Sequence, residues 1–152
     1  MNYYTKQTKL GLITIVENSG FITKLCFGEI NLPCKNELTP LLEEAFSQLE
    51  EYFNQKRQEF NLPLNPKGTP FQQKVWSKLY KIPYAEVRTY KDIALQIANP
   101  NACRAVGNAN NKNPIPIFIP CHRVIGSNQS LVGYAGGLDI KRQLLNLEKT
   151  IL

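Results

Sequence analysis

A proline-containing segment near the middle of the 152-residue chain divides it into two parts. The segment "FNLPLNPKG", from Phe60 to Gly68, contains two prolines and a glycine, residues that interrupt helices and central strands. A chain of this length can form one sizeable core or two small ones. The segment therefore predicts a linker between a domain of residues 1–66 and a domain of residues 67–152.

The two predicted domains differ in charge. Residues 1–66 contain six Lys or Arg and eight Asp or Glu, a net charge of −2, whereas residues 67–152 contain twelve and four, a net charge of +8. Such a basic surface can simply keep a protein in solution. It can also bind a polyanion such as nucleic acid, because phosphates attract clustered Lys and Arg. The charge alone leaves both interpretations open.

The composition is typical of a globular protein. Hydrophobic residues make up 43% of the chain and charged residues 20%, which argues against a disordered chain. No apolar run reaches the about 18–20 residues of a membrane span. The N-terminal "MNYYTKQTKLG" lacks the apolar stretch of a secretory signal. We therefore expect a cytoplasmic protein with no membrane partner, and the four irregularly spaced cysteines predict no disulfide framework.

The first domain is predicted to contain two strands and a helix. In "LGLITIVENSGFITKLCF" two β-rich runs flank Asn18-Ser19-Gly20, which favours a hairpin. Thr39 and Pro40 then supply an N-cap and a first-turn proline. The apolar residues of this helix follow at helical spacing: Leu41, Leu42, Ala45, Phe46, Leu49 and Phe53. These elements predict a small α/β domain.

The second domain is predicted to be mainly helical. Thr69 and Gln72 form a T-x-x-Q capping box at the start of its first helix. The apolar residues of this helix share one face: Phe71, Val75 and Leu79. Further helices are expected at Tyr90 to Ala98, about Ala102 to Asn110, and about Asp139 to Glu148. The last of them is expected to bury Ile140, Leu144 and Leu147.

Two of these helices, the one that Thr89 can cap and the next along the chain, are short and joined by a tight turn. This pattern suggests a helix-turn-helix. The second of the pair has Arg104 as its one long cation, and its other residues are mostly small: Ala102, Ala105, Gly107 and Ala109. Small residues permit close packing between helices. They also permit close approach to a DNA backbone or to a minor groove that is only about 6 Å wide.

A cysteine and the chain's only histidine stand side by side at Cys121 and His122, in "IPIFIPCHRVIGS". An ordinary thiol, with a pKa of about 8.5, is only a few per cent ionised at pH 7, and a nearby base raises that fraction. Adjacent residues of an extended strand point in opposite directions, so the pair needs a turn or a bridging water. A carboxylate should orient the imidazole. The second domain offers four: Glu86, Asp92, Asp139 and Glu148.

Three further roles are conceivable for Cys121. A cysteine that follows "IPIFIP" can be a buried core thiol. A zinc site needs four suitably spaced ligands, whereas one histidine and four scattered cysteines do not provide them: Cys26, Cys34, Cys103 and Cys121. A cysteine protease needs a histidine far away in the sequence, and here the only one is adjacent. We therefore expect no metal and no cofactor.

The segment from Gly68 to Glu148 closely resembles the O6-alkylguanine-DNA alkyltransferases, also called methylated-DNA–protein-cysteine methyltransferases. Its most specific motifs are "NKNPIPI", "PCHRV" and "GYAGGL". The first domain matches only in its general pattern of strands and helix. The resemblance implies an α/β (α+β) fold, with a small ribonuclease-H-like domain before a mainly helical domain that contains a winged helix-turn-helix.

The same resemblance implies DNA repair by direct reversal. The alkyl group of O6-alkylguanine, and of O4-alkylthymine, would pass irreversibly to Cys121, once per protein molecule. The partner would be double-stranded DNA, bound through its minor groove by a monomer. On this view the histidine beside the cysteine provides a stored thiolate. The alternative is a DNA-binding sensor of alkyl damage, as the alkyltransferase-like proteins are, but those lack the cysteine.

The resemblance also implies roles for single residues. Cys121 is similar to the acceptor thiol, His122 to the base that relays its proton through water, and Glu148 to the carboxylate that orients the imidazole. Asn113 matches an asparagine that ties the site together by hydrogen bonds. Tyr90 matches a tyrosine that donates a proton to the departing guanine, which is a poor leaving group as an anion.

Further residues match the DNA-binding surface and the base pocket of the family. The helix of residues 102–110 matches the recognition helix, and Arg104 matches the arginine finger that fills the stack once the damaged base has flipped out. The residues expected to contact DNA are Arg104, Ala102, Ala105, Gly107, Asn108 and Thr89. The pocket for the guanine is expected to comprise Val124, Tyr134 and the backbone of Ala135.

Two positions depart from the family's pattern. Cys103 stands in the recognition helix where alanine is common, and Ala98 replaces the usual glycine before "NP". We expect Cys103 to pack rather than to react. Some relatives hold zinc through N-terminal cysteine and histidine residues, but the first domain has no histidine, so that no such site is expected.

Overall fold

The computed structural model describes residues 1–128, 133–134 and 136–150. The chain divides into two compact units, Met1–Lys67 and Gly68–Leu152. The first unit contains a sheet and one helix, and the second is mainly helical, so the expected α/β class is confirmed. Among the described helices, none is both long enough and apolar enough to span a bilayer.

The first unit is built on a four-stranded sheet in the order β3-β2-β1-β4. Its strands are β1 (Asn2–Thr8), β2 (Gly11–Asn18), β3 (Phe21–Phe27) and β4 (Lys35–Asn36). The pairs β1–β2 and β2–β3 are antiparallel, and β4 runs parallel to β1. Ser19 and Gly20 have φ values of 53° and 85°, as tight hairpin turns of the I′ class require, which confirms the predicted hairpin. The sequence does not predict β1, because only Tyr3 of that strand is buried and no apolar alternation marks it.

Helix α1 (Pro40–Phe53) packs against β1 and β2. It begins as expected, because the Thr39 hydroxyl accepts a hydrogen bond from the Leu42 amide at 3.2 Å. Leu41 of the predicted apolar face is only partly buried. The rest of that face is buried, together with Tyr52: Leu42, Ala45, Phe46, Leu49 and Phe53.

Part of the predicted linker is not a free loop. The Ile22 amide donates to the Pro63 carbonyl, and the Asn65 amide donates to the Ile22 carbonyl, each at 2.8 Å. Leu64 thus forms a parallel bridge to Ile22 at the edge of β3. A proline is tolerated at such an edge because only its carbonyl is needed there.

The described residues of the second unit form four α-helices and one short pair of strands. They are α2 (Pro70–Tyr80), β5 (Arg88–Thr89), α3 (Tyr90–Gln96), α4 (Cys103–Asn111), β6 (Val124–Ile125) and α5 (Leu138–Leu147). Strands β5 and β6 are parallel, and the sequence predicts neither, since each is only two residues long. Helices α2, α3 and α4 pack against one another. The Trp76 indole N–H donates to the Ala109 carbonyl at 2.8 Å and fastens α4 to α2.

Helices α3 and α4 follow each other along the chain and pack against each other, as a helix-turn-helix requires. The winged form of this motif stays a prediction. Helix α3 ends at Gln96, two residues before the expected end. Ala98 has a φ of 57°, in the left-handed region that favours glycine, so the helix cannot continue through it. This conformation explains why a glycine suits the position.

The buried face of α5 differs from the prediction. Leu144, Leu145 and Lys141 are buried, whereas Ile140 and Leu147 are only partly buried. The spacing of apolar residues could not reveal this face, because a lysine occupies part of it.

The capping box of α2 gives a test of local stability. The Gln72 amide donates to the Thr69 hydroxyl at 3.1 Å, and the Thr69 amide donates to the Gln72 side chain at 2.9 Å. Thr69→Ala should therefore lower the free energy of unfolding by about 1 kcal/mol. Urea denaturation followed by the fluorescence of Trp76, the chain's only tryptophan, measures the change. Ser77→Ala, at an exposed position of the same helix, should leave the free energy of unfolding within about 0.5 kcal/mol of the wild-type value. Equal effects of the two variants would contradict the assignment of Thr69 as the N-cap of α2.

Candidate active site

Cys121 and His122 lie in a single 3₁₀ turn, Cys121–Arg123, which we call the catalytic turn and which leads into β6. The turn removes the difficulty that an extended chain would pose, in which adjacent side chains point apart. Both residues are inaccessible to solvent, with exposed fractions of 1% for Cys121 and 0% for His122. The site is therefore a buried thiol beside a buried imidazole.

The loop before the turn is held by Asn113. Its side-chain amide donates to the Ile119 carbonyl at 2.8 Å, and its oxygen accepts from the Ile115 amide at 3.0 Å. The Cys121 amide donates to the same Ile119 carbonyl at 2.7 Å. Ile117, inside this loop, has a φ of 75°, a left-handed conformation that β-branched residues rarely adopt. Asn113 thus lies where the resemblance implies, and it holds a strained loop in place.

The imidazole is oriented by Glu148. The His122 Nε2 atom lies 2.7 Å from Oε2 of Glu148, whose carboxylate also receives two hydrogen bonds of 2.9 Å from Arg123. The Ala85 amide donates to Oε1 at 3.2 Å. Donors from Arg123, Ala85 and His122 thus surround one buried carboxylate. Of the four carboxylates considered from the sequence, Glu148 is the one placed at the histidine.

The protonation states follow from this geometry. Burial raises the pKa of the Glu148 carboxyl, but the hydrogen bonds and charges of His122 and Arg123 outweigh it and hold that pKa well below its usual range. Burial lowers the pKa of His122, which is therefore neutral at pH 7. An ionised carboxylate only accepts hydrogen bonds, so the imidazole proton is on Nε2. Nδ1 keeps its lone pair, and this buried atom has no hydrogen-bond partner among the described residues.

The thiol is not ionised in the resting site, which corrects the expectation of a stored thiolate. Burial raises the pKa of Cys121 to about 11, although hydrogen bonds from Asn113 and Tyr134 and the charge of Lys141 oppose the shift. A buried anion without a directly bonded cation is costly. The thiol proton therefore has to leave when the thiol reacts, and the Nδ1 lone pair of His122 is a base suited to accept it.

Lys141 is a buried cation that sequence reasoning misses. Its ammonium group donates to the Val124 carbonyl at 2.6 Å and to the Gly133 carbonyl at 3.3 Å. Burial lowers its pKa to about 8, while the negative charge of a Cys121 thiolate would raise it. Lys141 thus links the strand that follows the catalytic turn to the segment expected to line the base pocket.

Tyr90 begins α3, directly after its N-cap Thr89. Its ring is partly buried, and its hydroxyl is hydrogen-bonded to the side chain of Asn110 on α4. Burial raises the pKa of Tyr90, the charge of a Cys121 thiolate raises it further, and the Asn110 hydrogen bond lowers it. The structure therefore brings Tyr90 close enough to Cys121 for a thiolate there to raise the pKa of Tyr90.

The outer face of α4 presents several of the residues expected to contact DNA. Arg104, Ala105 and Asn108 are exposed, and Ala102 and Gly107 are partly exposed. The inner face is buried and comprises Val106, Ala109 and Asn110. A slim helix with one long exposed cation is what the sequence predicts.

Thr89 caps α3 as the sequence predicts, whereas Cys103 differs from the expectation. The Thr89 hydroxyl accepts from the Asp92 amide at 3.0 Å, so its first role is to cap α3. Cys103 is exposed, and the expectation that it packs is therefore wrong. It lies in the first turn of α4, where its neighbours leave the side chain in solvent.

The expected base pocket is described only in part. Val124 is buried in β6, directly after the turn Cys121–Arg123. Tyr134 is buried and follows Gly133, whose carbonyl accepts from Lys141. Ala135 lies outside the described residues. Within the part of the chain that the structure describes, no cluster of His, Cys, Asp or Glu could hold a metal ion.

Three functional candidates are missing from the sequence prediction: Asn110, Arg123 and Lys141. Arg123 follows His122 directly, and this position in "PCHRV" was the one available signal. Lys141 and Asn110 gave none, because a lysine or asparagine on an amphipathic helix is normally assigned to the exposed face.

Glu148→Gln tests the buried ion pair. The variant leaves Arg123 buried without its counter-ion, so the free energy of unfolding at pH 7 should fall by about 3–5 kcal/mol. Because the folded pKa of Glu148 lies below the unfolded value, the unfolded state binds its proton more readily below about pH 4, and wild-type stability falls there. The variant lacks this carboxylate and therefore this loss of stability. The difference in free energy of unfolding between the wild type and the variant, measured by urea denaturation, should therefore shrink between pH 5 and pH 3.

Glu86→Gln provides the matched control. Glu86 is an exposed carboxylate that pairs with Arg88 at 3.1 Å on the surface, where ion pairs contribute little. Glu86→Gln should therefore change neither the free energy of unfolding at pH 7 nor the way that this free energy falls with acid. A Glu148→Gln protein as stable as the Glu86→Gln protein would show that the buried pair does not hold the site together.

Comparisons with known proteins agree with this geometry. The family model of the 6-O-methylguanine DNA methyltransferase, DNA binding domain, matches residues 70–150, and that of the ribonuclease-like domain matches residues 1–66. The chain is 50% identical to the constitutive methylated-DNA–protein-cysteine methyltransferase of Bacillus subtilis, over 98% of this chain and 96% of that protein. It is 48% identical to the methylated-DNA–protein-cysteine methyltransferase of Methanosarcina barkeri, over 100% and 99%.

A solved structure shows the same fold. The crystal structure of Mycobacterium tuberculosis OGT in complex with DNA superimposes with a TM-score of 0.91 at 43% identity, covering 98% of this chain and 93% of that one. Both units, and not only the one with the cysteine, therefore have counterparts in these relatives. The chain belongs to the family of 6-O-methylguanine DNA methyltransferases.

Proposed function

We propose that this protein repairs alkylated DNA by moving the alkyl group from O6 of guanine to its own Cys121. The observation that carries the proposal is a buried thiol, Cys121, directly followed by a buried neutral base, His122. The Nε2 of His122 is paired with Glu148, and its Nδ1 has no hydrogen-bond partner among the described residues. The relatives that match both units over nearly their full length are methylated-DNA–protein-cysteine methyltransferases. The activity is thus that of a methylated-DNA–protein-cysteine methyltransferase.

The chemical step is an in-line displacement. His122 takes the thiol proton, through a water, and the sulfur attacks the alkyl carbon while the bond from that carbon to O6 breaks. The electron pair stays with the guanine, and Tyr90 protonates the base as it leaves. Ion pairing to Glu148 stabilises the imidazolium that forms. The thioether product has no easy route back, so each molecule acts once and irreversibly.

The DNA step uses the outer face of α4. An alkyl group on O6 lies inside the duplex stack, so the nucleotide has to be extruded at a cost of a few kcal/mol. We place α4 in the minor groove, as the recognition helix of a winged helix-turn-helix, with Arg104 entering the stack in place of the base. Ala102, Ala105, Gly107 and Asn108 allow the close approach, and Thr89 caps the preceding helix. The net charge of +8 on residues 67–152 supports binding to phosphates.

The base pocket follows from the same placement. Val124, Tyr134 and the backbone of Ala135 are proposed to hold the flipped guanine, and Asn113 to keep the loop before Cys121 in position. The extension to O4-alkylthymine belongs to this proposal, as do action as a monomer and a cytoplasmic location.

Mass analysis tests the acceptor. Incubation with duplex DNA that contains O6-methylguanine should add one methylene-sized increment to the protein, and peptide mapping should place it on Cys121. Cys121→Ala should abolish transfer but still bind DNA, because α4 supplies the affinity. The exposed Cys103 provides the control, since Cys103→Ser should transfer at the wild-type rate. An unmodified wild-type protein that still binds the lesion would indicate a damage sensor instead.

Rates on two substrates separate Arg104 from Tyr90. Arg104→Ala should slow repair of duplex DNA much more than reaction with free O6-benzylguanine, which needs no flipping. Tyr90→Phe should slow both by similar factors, of about 10²–10⁴, as expected for a positioned general acid. Single-turnover rates measure both effects. If Arg104→Ala impaired the free base as badly as the duplex, Arg104 would belong to the pocket rather than to the stack.

A further inference from the structure

Asn110 is a buried amide between the two residues proposed to carry out the chemistry. It lies near the end of α4, on the inner face, with an exposed fraction of 1%. Its Nδ2 donates to the Cys121 carbonyl at 3.4 Å, and its side chain is also hydrogen-bonded to the Tyr90 hydroxyl. Its Oδ1 is buried and has no hydrogen-bond partner among the described residues. None of the roles assigned above uses this side chain.

The Cys121 carbonyl fixes the orientation of this amide. If the nitrogen and oxygen were exchanged, Oδ1 would face the carbonyl oxygen at 3.4 Å, with no hydrogen between two acceptors. The NH₂ group is therefore the side that faces both Cys121 and Tyr90, and each of its two hydrogens has an acceptor. It follows that Asn110 donates and the Tyr90 oxygen accepts. This hydrogen bond does not use the phenol proton.

We propose that Asn110 is a positioning residue for the proton donor, which stabilises the phenolate that Tyr90 becomes when its proton passes to the departing guanine. This inference rests on the proposed function. A donor that already points at the oxygen where negative charge develops needs no reorganisation during the reaction, and its hydrogen bond strengthens as the charge grows. The unpaired Oδ1 is consistent with an amide held for its N–H groups rather than for its oxygen.

The step balances in atoms and charge. The bond from the Cys121 sulfur to the alkyl carbon forms as the bond from that carbon to O6 breaks, and the electron pair moves into the guanine. The thiol proton is then on His122 and the phenol proton is on the base. The site holds one imidazolium and one phenolate, and the imidazolium proton can return to Tyr90 once the base has left.

The charge on the Cys121 sulfur changes during the reaction, and this change makes loss of the Tyr90 proton easier once the alkyl group has been transferred. A Cys121 thiolate raises the pKa of Tyr90 and so opposes loss of the phenol proton. Alkylation removes that negative charge, while the hydrogen bond from Asn110 continues to favour the phenolate. Because Asn110 lies on α4, the helix proposed to bind DNA also positions the proton donor.

A double-mutant cycle tests the inference. Asn110→Leu should slow single-turnover transfer from duplex DNA by about 10- to 100-fold, as expected for the loss of one hydrogen bond to a developing charge. In the Tyr90→Phe background the same substitution should slow transfer by less than about threefold, because the phenolate never forms. Similar slowing by Asn110→Leu in both backgrounds would overturn the inference, since it would indicate a role in packing alone.

The pKa of Tyr90 gives a second, independent test of the same inference. Removal of the Asn110 donor should raise the pKa of Tyr90, observed by NMR with ring-labelled tyrosine and assigned with Tyr90→Phe. A merely structural role would not move this titration, so an unchanged Tyr90 pKa would count against the inference.

The variant is expected to fold. The Val124 amide also donates to the Cys121 carbonyl, which therefore keeps a partner, and the substitution removes an unpaired buried oxygen. The thermal midpoint of Asn110→Leu should stay close to that of the wild type. Asn110→Ala, which adds no branched side chain, serves as a second variant in the same double-mutant cycle. Asn54→Leu, at an exposed residue of the first unit, is the matched control and should keep the wild-type rate.

The outcomes separate this inference from the proposed function. Wild-type transfer to Cys121 together with equal slowing in both backgrounds would overturn the role of Asn110 and leave the repair activity intact. A wild-type protein that acquires no alkyl group would overturn the proposed function and this inference together.

Discussion

The buried carboxylate of Glu148 holds the candidate active site together. Its Oε1 accepts hydrogen bonds from Arg123 and the Ala85 amide, and its Oε2 accepts from Arg123 and His122. These partners come from the catalytic turn and from the loop after α2, and Glu148 itself closes α5. A buried charge is tolerated only when it is paired and fully hydrogen-bonded, so loss of any one partner weakens the others.

The same network determines how the thiol can react. The ionised Glu148 places the imidazole proton on Nε2, which leaves Nδ1 as the basic atom. The surroundings that make His122 a neutral base also keep Cys121 protonated, with a pKa of about 11. A thiol that stays protonated until it reacts is protected from adventitious electrophiles and oxidants, because the thiolate is the reactive form. This protection suits a residue that is proposed to be used only once.

Helix α4 serves two surfaces at once. Its outer face is slim and carries Arg104, while its inner face is fixed to α2 through Trp76 and approaches the site through Asn110. DNA bound to the outer face would therefore meet a helix whose other side is hydrogen-bonded to Tyr90 through Asn110. The short strand pair β5–β6 adds a second link, because β5 leads into Tyr90 and β6 follows the catalytic turn. Binding and chemistry are thus proposed to share one rigid element.

Local signals in the sequence determined a large part of this protein. Helix starts at Thr39, Thr69 and Thr89 were predictable because an N-cap depends on a few adjacent residues. The pairing of Cys121 with His122 was visible in the sequence, and the resemblance implied the role of Glu148. Only the tertiary structure decided what surrounds these groups. Arg123 and Lys141 are charged side chains that the sequence would place at the surface, and their burial depends on carbonyls and a carboxylate contributed by distant segments. The ionisation of the thiol was likewise beyond the sequence, because desolvation is a property of the folded surroundings and not of two neighbouring residues.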